Sequence, residues 1–189
     1  MKLIVVTSTK FFVEENSIID ALFEEGVDYL HIRKPDSDIE FCERLVKLIN
    51  KKWYKKIIMN DHFKLKEEYG LKGIHVSDRT PDLPKGYNGF YTRSCTTFEE
   101  IDYWKKRAGY VVTLGMDDEE KAHRFELAGV IDKNVIADQV RSVDDVRKFR
   151  SMGFGGVVLD DLLWGQFDFH QTANYSNLIK TFKDIRKAI

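Results

Sequence analysis

Short apolar runs alternate along the chain with longer amphipathic stretches. Leu3 to Val6 is a β-branched run that stops at Thr7-Ser8-Thr9, and it reads as a strand. After it Ile18, Ile19, Leu22 and Phe23 share one helical face, and Gly26 punctuates the end. Tyr29 to Ile32 is a second strand. Ser37-Asp38-Ile39-Glu40 has the spacing of a capping box before a helix with Phe41, Leu45, Leu48 and Ile49 on one side. Ile57 to Met59 is a third strand, followed by a helix near 63–69. Gly73 to Val76 is a fourth. The segment from Ser77 to Asn88 holds two of the three prolines and reads as a loop with little helix. Phe90 to Cys95 is a fifth strand, and Thr97 to Glu100 caps the next helix. Tyr110 to Leu114, Val135 to Ala137 and Gly156 to Leu159 complete eight strands. Helices are predicted over 117–128, 142–152 and 175–188.

Strict alternation implies parallel strands, because a parallel pair needs a crossover connection. Eight such units predict an α/β fold of the closed (β/α)8 type, in one domain spanning 1–189, with the doubly wound open sheet as the alternative. The length is short for such a barrel, so its loops must be trimmed. Thirty Lys and Arg against 31 Asp and Glu leave a net charge of -1, which gives no reason to expect nucleic acid or an anionic membrane as a partner. Cys42 and Cys95 form neither a CxxC nor a metal-ligand spacing. Two lone thiols, with no segment approaching about 18 apolar residues, suggest a cytoplasmic protein.

In a (β/α)8 barrel, reactive groups belong at the C-terminal ends of the strands. That rule selects His31, Arg33 and Lys34 on strand two and Asn60, Asp61 and His62 on strand three. It also selects His75, Asp78 and Asp82 on strand four, Arg93 and Ser94 on five, Asp138 and Gln139 on seven, and Asp160 and Asp161 on eight. Arg33 and Lys34 suit a phosphate or pyrophosphate. Asp61 with a second carboxylate, Asp78 or Asp82, suits a Mg²⁺ that also binds a diphosphate. His31 and Asn60 suit hydrogen bonds to a heterocycle. Each has a structural alternative. Arg33 and Lys34 would pair with rim carboxylates, Asn60-Asp61 would cap a helix, and His75 would be a satisfied core histidine. His62, His123 and His170 would lie at the surface, and Tyr29, Phe90 and Tyr110 would serve in packing. No GxSxG, Walker loop or GxGxxG is present.

Tyr-Leu-His-Ile-Arg-Lys, Ile-Ile-Met-Asn-Asp, Gly-Ile-His-Val, the Ser94 to Glu100 segment and the closing Gly-Phe-Gly-Gly-Val-Val-Leu, taken in order, resemble the thiamine-phosphate synthase/TenI family. The resemblance implies a TIM barrel. It implies a transferase of thiamine biosynthesis that joins hydroxymethylpyrimidine diphosphate to thiazole phosphate with Mg²⁺ and releases pyrophosphate. TenI relatives tautomerise the thiazole phosphate instead, and a homodimer is a further implication. Under the resemblance Arg33 grips the diphosphate and Ser94 is the strand-five serine. His31 stands where a glutamine holds the pyrimidine. Asn60 and Asp61 match an Asn-Asp pair, with Asp61 a metal ligand. The family lysine falls on Pro35, leaving Lys34 as a displaced substitute. The second metal aspartate falls near Thr80, flanked by Asp78 and Asp82. The resemblance thus implies Arg33, Lys34 and Ser94 as catalytic, His31, Arg33, Asn60 and Ser94 as substrate-binding, and Asp61 and Asp78 as metal ligands.

Strands six to eight depart from the family pattern. The Thr-x-Thr-Lys signature is replaced by Gly115 to Lys121, the Gly-Gly of strand seven by Gln139-Val140, and the small residue of strand eight by Asp160-Asp161. A phosphate site there needs bare backbone N–H groups and no negative charge. A neutral or cationic group is the expected occupant. The alternatives to a synthase are therefore a diverged TenI-like barrel acting on a small heterocycle, or a family member without catalysis.

Overall fold

A computed structural model describes residues 1–116 and 118–189. Its strands are β1 (Lys2–Val6), β2 (Tyr29–Ile32), β3 (Ile57–Met59), β4 (Gly73–Val76), β5 (Phe90–Cys95), β6 (Val111–Thr113), β7 (Val135–Ala137) and β8 (Gly156–Leu159). All neighbours pair in parallel, and β8 returns to β1 through the register Leu3–Val157 and Val5–Leu159, so the sheet closes into a barrel. The helices are α1 (Glu15–Glu24), α2 (Ile39–Leu48), α3 (Lys64–Tyr69), α4 (Phe98–Trp104), α5 (Glu119–Leu127), α6 (Val143–Ser151), α7 (Asp161–Trp164) and α8 (Ser176–Arg186). The crossover from β4 to β5 has no helix, as its prolines predict. The start of the helix predicted over 117–128 includes Asp117, which lies outside the described residues.

Successive strand residues point to opposite faces. One set, Leu3, Val5, Leu30, Ile32, Ile57, Met59, Val157 and Leu159 among them, packs outward against the helices. The other set, Ile4, Val6, Ile58, Val112, Ile136 and Val158, fills the barrel interior. Tyr29, Phe90 and Tyr110 close the interior at its N-terminal end, with ring centroids 5.7 to 6.2 Å apart. Gly73 makes room for that plug: a Cβ there would lie 2.2 Å from the Phe90 carbonyl oxygen.

Two local expectations are corrected. Ser37 does not form a capping box, because its hydroxyl turns back to the Lys34 carbonyl at 2.7 Å and Asp38 becomes the N-cap residue of α2. Asp61 does not cap α3, whose N-cap residue is Phe63. The box at Thr97 and Glu100 is present. Helix α7 carries no periodicity long enough to be seen in the sequence. It is anchored by the Trp164 indole N–H, which donates to the Val6 carbonyl at 2.7 Å. Phe12 packs on Trp164 and on Phe169, with centroids 5.9 and 5.1 Å away, which ties the β1 loop to the β8 loop. Both thiols are buried, and burial pushes Cys95 up to about 12. No described helix is long and apolar enough to cross a membrane.

Candidate active site

A cavity of about 530 Å³ opens at the C-terminal end of the barrel. The inward half of the strand alternation continues past each strand end and supplies it. His31 and Arg33 enter from β2, Asn60 from β3, His75 from β4, Ser94 from β5, Asp138 from β7 and Asp160 from β8. The same alternation turns Lys34 and Asp61 to the outer side, and neither borders the cavity.

The floor is a buried polar network. His31 Nε2 lies 2.6 Å from Tyr110 Oη. His75 Nδ1 lies 2.7 Å from Thr92 Oγ1, and its Nε2 lies 2.9 Å from Ser94 Oγ. The two imidazoles meet edge to face at 5.0 Å. Burial drives both towards the neutral form: His75 falls to about 3, helped by the Arg33 and Arg93 charges. His31 is pushed well down by burial and by His75, against an opposing pull from the Asn60 side chain. That pull is not a well-formed hydrogen bond, because the buried Asn60 Oδ1 finds no partner. His75 is thus a satisfied core histidine that also borders the cavity.

At the rim, Arg33 Nη2 donates to Asp160 Oδ2 at 2.6 Å, and the two side chains are 37% and 33% exposed. Burial and the neighbouring Asp161 raise the Asp160 pKa, while Arg33 opposes the rise. The buried Arg33 Nε has no hydrogen-bond partner. Two residues that line the cavity thus each carry a buried polar atom with no hydrogen-bond partner, Arg33 Nε and Asn60 Oδ1. Such groups cost about 1–3 kcal/mol each when left unmade.

Lys34, expected among the catalytic residues, does not border the cavity. It is fully buried, and its Nζ donates to Glu15 Oε1 at 2.6 Å and to the Ser8 and Lys10 carbonyls at 2.8 Å each. It pins the β1 loop from outside the cavity. Burial pushes the Glu15 carboxyl up to about 7 against the pull of Lys34.

The residues expected to hold a metal are placed as follows. Asp61 Oδ2 accepts the Lys34 backbone N–H at 2.9 Å, and Oδ1 faces Arg79 Nη2 at 3.9 Å. Asp78 borders the cavity. Among the described residues no three His, Cys, Asp or Glu side chains converge as a metal-binding group. Asp61 thus offers one oxygen held by an amide and one that faces a guanidinium, outside the cavity lining. His62, by contrast with its predicted surface role, is half-buried with Nε2 2.8 Å from the Ser37 carbonyl oxygen; His123 and His170 are exposed.

Two cations escaped the sequence reading, Arg79 and Arg141, and both border the cavity. Arg79 sits with Asp78 at the tip of a tight turn closed by the paired backbone bonds of Ser77 and Thr80. The Asp-Arg pair between apolar β4 and a proline was the available signal. Gln139 and Val140 border the cavity as well, and Gln139 has φ +53°. The left-handed backbone that a glycine would adopt is thus kept, with a side chain added.

A (β/α)8 barrel whose strand ends carry a histidine-floored polar cavity with an arginine at its rim is the class that these features define. Known structures agree. The chain is similar to a thiamine phosphate pyrophosphorylase from Bacteroides thetaiotaomicron at 40% identity and a TM-score of 0.92, over 100% of this chain and 97% of that one. It therefore belongs to the thiamine phosphate pyrophosphorylase family. It is similar in fold to a thiamine phosphate pyrophosphorylase from Pyrococcus furiosus, at 17% identity and a TM-score of 0.72, over 99% and 94% of the two chains. It is also similar in fold to the tryptophan synthase α subunit of Legionella pneumophila, at 14% identity and a TM-score of 0.70, over 100% and 92%. No family model and no curated protein sequence matches the chain.

Proposed function

We propose that this protein is a transferase of the thiamine-phosphate synthase type, which joins hydroxymethylpyrimidine diphosphate to a thiazole and releases pyrophosphate. The observation that carries the reading is the convergence of His31, Arg33, Asn60, His75 and Ser94 on one cavity, with Arg33 Nε and Asn60 Oδ1 unpaired there. Arg33 takes the diphosphate through its guanidinium fork. Asn60 Oδ1 accepts from the pyrimidine amino group. His31, neutral and tied to Tyr110, forms a flat wall for the ring, and Ser94, oriented by His75, supplies a hydroxyl at the β5 side.

The chemistry is a substitution at the pyrimidine methylene. The C–O bond breaks, and its electron pair leaves with the diphosphate. The thiazole nitrogen then donates its lone pair into the new C–N bond. Arg33 stabilises the charge that develops on the leaving group. The pyrimidine cation and the thiazolium product are positive. Asp138 and Asp160 stand at the same cavity, with Asp161 at its rim, and favour both.

A second reading concerns the acceptor. Gln139, Val140, Asp160 and Asp161 border the half of the cavity where a thiazole phosphate would lie. Carboxylates repel a dianion by one to several kcal/mol (~4 kcal/mol per pair at 4 Å and an effective dielectric of 20). This favours an uncharged thiazole alcohol over the phosphate. A thermal-shift titration tests the reading. The protein should melt higher with pyrophosphate, and the alcohol should add a larger increment than the phosphate. No shift with pyrophosphate overturns the transferase reading, and a larger increment from the phosphate overturns the second.

A further inference from the structure

We propose that the diphosphate end of the cavity is an arginine site, formed by Arg33 and Arg79, which holds pyrophosphate and the substrate diphosphate without a divalent cation. This rests on the function proposed above.

Three observations carry it. First, Arg79 supplies positive charge beside the carboxylate that the family resemblance assigns to metal. Its Nη2 stands 3.9 Å from Asp61 Oδ1 and 3.8 Å from Asp36 Oδ1, while its side chain borders the cavity. Second, Asp61 is committed elsewhere. Its other oxygen accepts the Lys34 amide at 2.9 Å, and Asp61 itself lies on the outer side of the strand alternation. Its remaining oxygen, Oδ1, faces the Arg79 guanidinium, whose charge disfavours a cation beside it. Third, Arg33 keeps an orphaned buried donor, Nε, at the cavity. An acceptor-rich, planar-matching anion is the ligand that satisfies a guanidinium edge; a metal ion is repelled by it.

Arg79 is 53% exposed, and its contacts to Asp36 and Asp61 are long, so little energy holds it there. It is therefore available to turn towards a bound anion. With the anion bound, the Arg33 and Arg79 charges together stabilise the leaving group without a cation. The second metal carboxylate of the resemblance falls near Thr80, whose buried hydroxyl has no partner and carries no charge; of the flanking Asp78 and Asp82, Asp78 borders the cavity beside Arg79.

Calorimetric titration of inorganic pyrophosphate into the full chain, once in EDTA and once in excess Mg²⁺, tests the proposal. The expected result is binding in EDTA within about threefold of that in Mg²⁺, weakened at least tenfold by Arg79→Ala, with Arg79→Lys intermediate because it restores charge but not the fork. Melting curves verify that the variants are folded; Arg79 is on a surface turn, so they should match the parent. Binding that requires Mg²⁺, or that ignores Arg79→Ala, overturns the arginine site and leaves the transferase reading intact. Binding under neither condition overturns both. Binding in EDTA by a protein that turns over no substrate upholds the arginine site and overturns the transferase reading alone.

Discussion

Arg33 donates to Asp160 at 2.6 Å, and this ion pair joins the ends of β2 and β8 across the cavity mouth. The arginine assigned to the substrate anion is thus held, before any anion arrives, by a carboxylate of the chain itself. An incoming diphosphate must compete with Asp160. Replacing the carboxylate by an amide keeps the shape and removes the competition. Asp160→Asn should tighten pyrophosphate binding about three- to tenfold at low salt, the scale of a half-exposed pair worth ~1 kcal/mol, and less at high salt. Unchanged or weaker binding would show that the pair does not gate the anion.

Lys34 separates a structural account from a catalytic one. Its ammonium and Glu15 form a buried pair, and removing one partner strands the other. Lys34→Met should cost about 3–5 kcal/mol of stability, and Lys34→Met with Glu15→Leu should recover much of that loss. Chemical denaturation measures both. A Lys34→Met protein of normal stability with abolished turnover would place Lys34 in catalysis instead.

His75 predicts a pH dependence. Its pKa is about 3 in the folded protein, against 6.5 unfolded, because the buried ring is neutral between Thr92 and Ser94. Between those values the unfolded chain binds more protons. The stability associated with this ring is fully present above pH 6.5 and is lost as pH falls towards about 3. His31 acts in the same direction. Melting temperature should fall from pH 6.5 to 4, and less steeply in His75→Gln. An equal slope in the variant would contradict the assignment.

Gln139 keeps a left-handed backbone at φ +53°, which costs a non-glycine residue about 1–2 kcal/mol. Gln139→Gly removes that strain and loses ~0.5–1 kcal/mol to chain entropy, so stability should stay level or rise slightly. Emptying the side chain from the cavity should also lower KM for the thiazole phosphate. A fall in stability beyond 1 kcal/mol, or an unchanged KM, would count against a glycine-like backbone under a blocked phosphate cradle.

The strand alternation made more of the site legible than any motif. His31 and Arg33 share one parity on β2, and Asn60 takes the matching place after β3, so their convergence followed from eight strands and a period of two. The same parity sends Lys34 and Asp61 outward, a consequence that composition and family likeness obscured. What the sequence could not disclose depends on partners distant in the chain. The carbonyls of Ser8 and Lys10 hold Lys34, and Asp160 reaches Arg33 across 127 positions. Arg79 stayed hidden because a loop without periodicity gives no direction to its side chains. Helix α7 stayed hidden because four residues carry no period.

The most direct test of the central claim is turnover with hydroxymethylpyrimidine diphosphate and a thiazole acceptor, supplied as the alcohol and as the phosphate, each with and without Mg²⁺. The account predicts one pyrophosphate released per C–N bond formed, with turnover persisting in EDTA and lost in Arg33→Ala. A folded protein that releases no pyrophosphate with either acceptor, under either condition, would contradict it.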